Sequence, residues 1–359
     1  MPITLDDLRR YAVRRTLFRP TTIQRAIEKL GFVQADPIRS PARAQDLTLR
    51  HRVARYRAGD LERRYPDLDV EEDFFVNYGF MPRAAHALMH PRGGPLPWSR
   101  SSNTKAAALL AFVRERGEVH PREVDDHFAH GRVTNFWGGS SNATTHLMTL
   151  MHYRGLLRVV KRDRGIRIYA AHEHAPRPAD RTAERAQMDA LVDLAVRPYA
   201  PLTRLGLAVL VNRLRYGAPH LRGDLRGALK RAKERLAHAR VDGDDWYWPS
   251  AERLPRDAPD DAVRLLSPFD PIVWDRGRFE ILWGWAYRFE AYTPVAKRKL
   301  GYYALPLLWR DRVIGWGNLS VEKGALRAQL GYVSKRPADP SFARGLDAEL
   351  DRIRTFLRL

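Results

Sequence analysis

Gln34 and Asp36 stand two residues apart in the stretch Gly31-Phe32-Val33-Gln34-Ala35-Asp36-Pro37-Ile38-Arg39, a carboxamide and a carboxylate among arginines. Along an extended backbone, residues i and i+2 share a face, and Pro37 turns Asp36 away from helical angles toward that conformation. An acid and an amide are therefore expected to face one partner. A carboxylate so placed suits cleavage of an N-glycosidic bond, because positive charge builds on the sugar as the base departs. The carboxylate can oppose that charge, or orient and deprotonate the attacking water, as in glycoside hydrolysis. The amide can hold water or a phosphate, since it both donates and accepts hydrogen bonds. By spacing alone, Gln-x-Asp-Pro also describes a turn with an Asp cap.

The charge balance names the partner class. Sixty-two Lys and Arg against 42 Asp and Glu leave +20, with a pI near 10.5, which favours a polyanion over a neutral metabolite. The excess clusters: residues 1–57 hold 13 Lys/Arg against 5 Asp/Glu, and residues 213–240 hold 9 against 2. Nucleic acid is the leading candidate, and Arg39, Arg43, Arg50 and Arg52, which follow the Gln-x-Asp segment, are expected to contact its phosphates.

With 359 residues and 44% apolar content the chain is expected to fold into several domains. The absence of cysteine excludes disulfides, thiolate zinc sites and a thiol nucleophile. No run approaches the roughly 18 apolar residues of a membrane helix, and Asp6 and Asp7 stand where a signal peptide would be basic and then apolar. A cytoplasmic, nucleoid-associated protein is expected, monomeric and without a membrane partner.

The elements that must position Gln34 and Asp36 come next. Thr4 with Asp7 resembles a capping box before a first helix, and a second helix after Thr21 or Thr22 carries Ile23, Ala26, Ile27 and Leu30 and stops at Gly31. A third is expected from about Pro41, carrying Arg43, Arg50 and Arg52. The Pro/Gly-rich stretch 91–97 marks a boundary. Beyond it, helices over 104–116, from His120-Pro121 and over 142–153 precede a hairpin at 156–169 around Asp163-Arg164-Gly165. That is the order of a winged helix, and Arg162 and Arg164 on the wing are candidates for phosphate contact. A helix bearing Leu191, Leu194 and Ala195, the basic helix 222–238 and the strand Trp246-Tyr247-Trp248 suggest a third such unit. From Val263 onward the pattern turns to strands at 279–285, 302–308, 313–321 and 326–333, closed by a helix after Asp339-Pro340. The expected fold is α+β: tandem winged-helix units followed by a small C-terminal β-barrel or curled sheet. The expected divisions are 1–95, 96–180, 181–255 and 256–359.

The neighbours of the Gln-x-Asp pair carry a resemblance. Leu30 to Ile38, with Arg43-Ala44-Gln45-Asp46-Leu47, closely resembles the catalytic segment of the YcaQ/AlkZ family of bacterial DNA glycosylases, in its Gln-x-Asp branch. A distant second match, Leu265-Leu266-Ser267-Pro268-Phe269-Asp270-Pro271 with Trp274-Asp275-Arg276, then Tyr287-Arg288-Phe289-Glu290 and Lys297 to Pro306, is similar to the family's C-terminal signature. The resemblance runs from about Leu5 to Val321. It implies tandem winged helices, a C-terminal β-domain, removal of N7-alkylated purines or unhooking of crosslinks, and catalytic roles for Gln34 and Asp36. Lys297, Arg298 and Lys299 gain weight as phosphate contacts by lying within the match, and Gln45, Asn77, Tyr78 and Asp270 become candidates to line the site. The chain departs from the family's pattern where a histidine is expected near Glu72–Pro82, at Gln45, which is often His, and at Gly315–Ser320.

No cofactor or metal is expected. His120, Glu123, His127 and His130, and likewise His172 and His174, read as surface or capping residues. Trp137, Trp246, Trp248, Trp283, Trp285 and Trp316 read as packing groups, and no Gly-rich phosphate loop calls for ATP. The functional expectation is a monofunctional DNA glycosylase acting on double-stranded DNA that carries alkyl lesions. The alternatives are a non-catalytic winged-helix DNA-binding protein, serving as regulator or lesion-sequestering factor, and an RNA binder. Asp36 separates the first alternative, since a pure binder has no use for a carboxylate aimed at a polyanion.

Overall fold

A computed structural model describes residues 2–92, 98–134, 138–176, 180–255, 257 and 259–359. Residues 93–97 of the expected boundary and Trp137 lie outside them. The chain is α+β, and its four expected segments are distributed over two compact units. One comprises residues 1–60, 193–210 and 229–359; the other comprises 61–192 and 211–228. Among the described residues, no helix is long and apolar enough to cross a membrane.

In the first unit, helix Leu5–Thr16 begins with the Thr4–Asp7 capping box, and helix Ile23–Leu30 ends at Gly31, whose φ of 78° is a left-handed conformation suited to glycine. Strand Val33–Gln34 follows directly. A four-stranded antiparallel sheet runs in the order Val263–Leu265, Leu305–Trp309, Arg312–Glu322, Ala325–Tyr332. Helix Pro340–Leu357, capped by Asp339, packs against its first strand. The N-terminal helix is tied to this region through the core: Val13 packs with Leu266, Ile272, Val273, Phe279, Tyr287, Leu308 and Val313.

Two expectations fail here for identifiable reasons. The segment 279–285, whose alternating aromatics suggest a strand, lies mostly in helix Arg276–Trp283, because Asp275 caps its N-terminus and Gly284, at φ 65°, ends it. The helix after the Gln-x-Asp segment is only Ala44–Leu49, so Arg43 and Arg50 flank it and Arg52 lies beyond. Tertiary contacts capture Arg52 instead, as described below.

In the second unit, helices Arg100–Arg116, Pro121–Phe128 and Ala143–Tyr153 precede the hairpin of strands Leu157–Asp163 and Ile166–Ala171, with Arg164 (φ 47°) and Gly165 (φ 90°) at its tip. Strand Glu118–Val119 adds to the Ile166–Ala171 edge. Leu109, Val113, Val124, Met148, Met151 and Val159 are fully buried between these elements. A further hairpin, Val70–Phe74 with Tyr78–Pro82, carries three consecutive buried acids, Glu71, Glu72 and Asp73. Burying a carboxylate costs several kcal/mol unless it is paired, and each of these is. Glu71 meets Arg158 at 2.6 Å and Arg83 at 2.7 Å, Glu72 meets Arg162 and Arg167, and Asp73 meets Arg92.

Candidate active site

Gln34 sits on its short strand with 8% of its surface exposed. Its Oε1 accepts a hydrogen bond from the Trp274 indole N–H at 2.9 Å. That bond orients the carboxamide and leaves its NH2 as the end with donors to offer. Two residues on, Asp36 is half-buried, and its Oδ1 accepts from the backbone N–H of Ile38 at 2.9 Å, across Pro37. The backbone N–H of Asp36 in turn donates to Gln45 Oε1 at 3.3 Å. The turn-with-cap geometry is realised at Asp36, whereas the strand ends at Gln34 and does not include Asp36.

Burial raises the Asp36 carboxyl above its ordinary value, and the Ile38 N–H offsets part of the rise. Among the described residues, no cation is paired with this carboxylate, whereas most buried acids have an arginine partner. The buried Tyr303 phenol is close enough to register it: burial and the Asp36 charge both push Tyr303 upward.

The supports of this segment come from the distant Ser267–Asp275 stretch. Asp270 is fully buried and accepts from Arg52 Nη1 at 2.8 Å and Nη2 at 3.0 Å, a two-pronged ion pair. Arg52 also donates to the carbonyls of Thr16 and Thr48. Arg278, buried, donates to the carbonyls of Pro271, Ile272 and Tyr199, and Arg276 to those of Pro268 and Val273. The Tyr199 ring lies against Trp274, with centroids 4.6 Å apart. Guanidinium groups so satisfy the carbonyls of an irregular turn, and the turn holds Trp274 against Gln34. The two motifs, more than 200 residues apart in sequence, share one hydrogen bond.

A family model described as DNA glycosylase AlkZ-like matches residues 27–356, which include both motifs. The chain belongs to the AlkZ-like DNA glycosylase family. Among solved structures, it is similar to the DNA glycosylase AlkZ of Streptomyces sahachiroi, with a TM-score of 0.65 at 15% identity, over 99% of this chain and 97% of that one. At that identity the likeness speaks for the fold.

The remaining expected site residues of this AlkZ-like chain divide by exposure. Arg39, Arg164, Lys297 and Lys299 are exposed, and Arg43 and Arg298 partly so. Arg298 donates to the Thr293 carbonyl and lies over the Tyr302 ring. The backbone N–H groups of Lys299, Leu300 and Gly301 all donate to Glu290, which anchors this basic loop. Arg50, Arg52 and Arg162 depart from the expected phosphate contact. Arg50 is engaged by Glu349 and the Leu265 carbonyl, Arg52 by Asp270, and Arg162 by Glu72. An arginine that neutralises a buried carboxylate cannot leave it for a phosphate without stranding that charge. Asp270 is likewise a buried partner of Arg52 and does not line an open site. Gln45, only 2% exposed, touches the segment through the Asp36 N–H. Asn77 and Tyr78 belong to the second unit, where the Tyr78 hydroxyl donates to Glu72 and its ring faces Arg167.

Trp274 is the site residue with no signal of its own in the sequence: an indole two residues beyond a Pro-Ile pair gives no sign of a carboxamide partner. Trp246 and Trp248 are buried, and Trp283, Trp285 and Trp316 pack against the core, as expected of packing groups.

Proposed function

We propose that this chain hydrolyses the N-glycosidic bond of N7-alkylpurine or crosslinked nucleotides in double-stranded DNA, leaving an abasic site. Asp36 faces the sugar as positive charge develops at C1′ and orients or deprotonates the attacking water, while the Gln34 NH2 positions that water or the backbone. The observation that carries this reading is a half-buried Asp36 carboxylate with no cationic partner among the described residues, two residues from a carboxamide anchored by Trp274. An unpaired anion is costly in a fold meant only to bind a polyanion, and useful in one that must meet a transient cation. N7-alkylation makes the purine a cationic leaving group, so one acid suffices. Cleavage is monofunctional, because a Schiff-base route needs an amine beside the sugar, and the lysine nearest Asp36 in sequence, Lys29, sits over the Phe18 ring.

In this reading the three helices and hairpin of residues 100–171 act as a winged helix with Arg164 at the wing tip, and Arg39, Arg43, Lys297, Arg298 and Lys299 meet phosphates. The test is incubation with duplex DNA containing N7-methylguanine, then alkali to convert abasic sites to strand breaks. Wild type is expected to cleave and Asp36→Asn to lose most of that activity. Tight binding without cleavage on several alkyl lesions would favour a non-catalytic lesion binder instead.

A further inference from the structure

Asp73, His86 and His90 converge in the second unit, all three buried. His86 lies on helix Arg83–Ala87 and His90 one turn further, so the i, i+4 spacing puts both rings on one side. Asp73 comes from strand Val70–Phe74. His86 Nε2 is 2.9 Å and His90 Nε2 3.4 Å from Asp73 Oδ2, and the two Nε2 atoms are 3.1 Å apart. A tetrahedral zinc-type ion with bonds of about 2.05 Å has its ligand atoms about 3.3 Å from one another. The three measured edges have that size.

The surroundings complete the case. The ring of His172, which follows strand Ile166–Ala171, lies 5.1 Å from His86 and 4.6 Å from His90 between centroids. His172 Nδ1 is buried and has no hydrogen-bond partner among the described residues. The His174 ring is 5.8 Å from that of His90. The His90 ring is seated against Gly155, where a Cβ would meet its Nδ1 at 2.4 Å. Arg92 donates to Asp73 Oδ2 and to the Phe74 carbonyl, the role of an outer group that orients a ligating carboxylate. Hydrogen bonding alone leaves this cluster crowded: two imidazole nitrogens face each other and the same carboxylate oxygen, so protons must be shared among three atoms that one cation would satisfy together.

We propose that Asp73, His86 and His90 bind one divalent transition-metal ion of the zinc class in a structural site, with the His172 ring beside them. Nitrogen and carboxylate donors suit zinc, cobalt or nickel over magnesium or calcium. The ion would pin the strand of Asp73 to the helix of His86 and the turn that carries His90, reinforcing the unit that carries the basic hairpin.

The full-length protein, stripped with chelator and dialysed, is titrated with Co2+ alone and then with Zn2+. The expected result is one Co2+ per chain with the intense visible absorption of tetrahedral coordination, loss of that absorption on adding Zn2+, and a higher Tm in the loaded form. His86→Asn and His90→Asn are expected to weaken binding more than about 100-fold, beyond the usual cost of losing an outer-shell partner. His238→Asn, at an exposed position, is expected to bind like wild type. Absence of stoichiometric binding by wild type, or unchanged binding by His90→Asn, overturns the site. If the histidine variants do not fold, X-ray absorption on the zinc-loaded wild type decides: at least two imidazoles around the ion support the site, and an oxygen-only shell overturns it. None of these readouts depends on glycosylase activity.

Discussion

Asp36→Asn replaces a carboxylate by an amide of the same shape and removes one negative charge. If that charge stands about 4 Å from the developing cation at C1′, its interaction is about 4 kcal/mol at an effective dielectric of about 20, and about 2 kcal/mol at about 40. The Asp36 site is half-buried, which places it within that range. At about 1.4 kcal/mol per decade, the substitution should slow the chemical step about 30-fold to about 1000-fold. Stability should move the other way. Folding raises the Asp36 pKa, so the native state favours the protonated form. The penalty for holding it ionised is absent below the unfolded value and grows as pH rises through the folded value. Asn carries no such penalty, so Asp36→Asn should unfold at the same temperature as wild type or higher at neutral pH. The assay is single-turnover cleavage of an N7-methylguanine duplex with enzyme in excess, beside a thermal melt. A variant that cleaves within about threefold of wild type, or that loses activity only because it unfolds, refutes the electrostatic role.

Trp274→Phe keeps the ring against Tyr199 but deletes the donor to Gln34; we expect about a tenfold lower single-turnover rate, with about 1 kcal/mol or less lost in denaturant melts. Arg52→Met strands Asp270 in the interior and should destabilise the protein by about 3–5 kcal/mol in urea unfolding; a loss below about 1 kcal/mol would contradict the pairing. Arg164→Ala should leave the melting temperature unchanged and reduce the slope of log affinity against log salt by about 1, measured by fluorescence anisotropy with duplex DNA. Glu72 is pulled down to about 2, since Arg162 and Arg167 outweigh its burial. A depressed carboxylate stabilises the fold above its unfolded pKa, and that contribution disappears as pH falls from about 4.5 toward about 2. Arg162→Ala should flatten this part of the stability profile in pH-dependent chemical denaturation.

Much of the local structure was legible because short-range signals sufficed. Thr4 with Asp7, the Thr21-Thr22 pair, Gly31, Asp339 before Pro340 and Asp163-Arg164-Gly165 act within four residues of themselves, and each marks the boundary expected of it. The failure at 279–285 was a contest between two local signals, alternating aromatics against the Asp275 and Gly284 caps, and the caps prevailed. The histidines divide. His120 caps its helix and His174 is exposed, as expected, whereas His172 is half-buried beside His86 and His90. The His-x3-His spacing at 86 and 90 was the one available clue.

By itself the sequence determined that an acid and an amide stand two residues apart, that the chain is strongly basic, and that two separated motifs belong to one family. Those properties reside in residue types and near-neighbour spacing. Only the tertiary structure decided which charges are available to a partner. Arg39 and Arg164 are exposed, whereas Arg52 and Arg162 neutralise buried acids 218 and 90 residues away, and Asp36 has no cationic partner among the described residues. The reason is physical: the cost of a buried charge depends on what lies within a few ångströms of it in space, and spacing along the chain does not encode that distance.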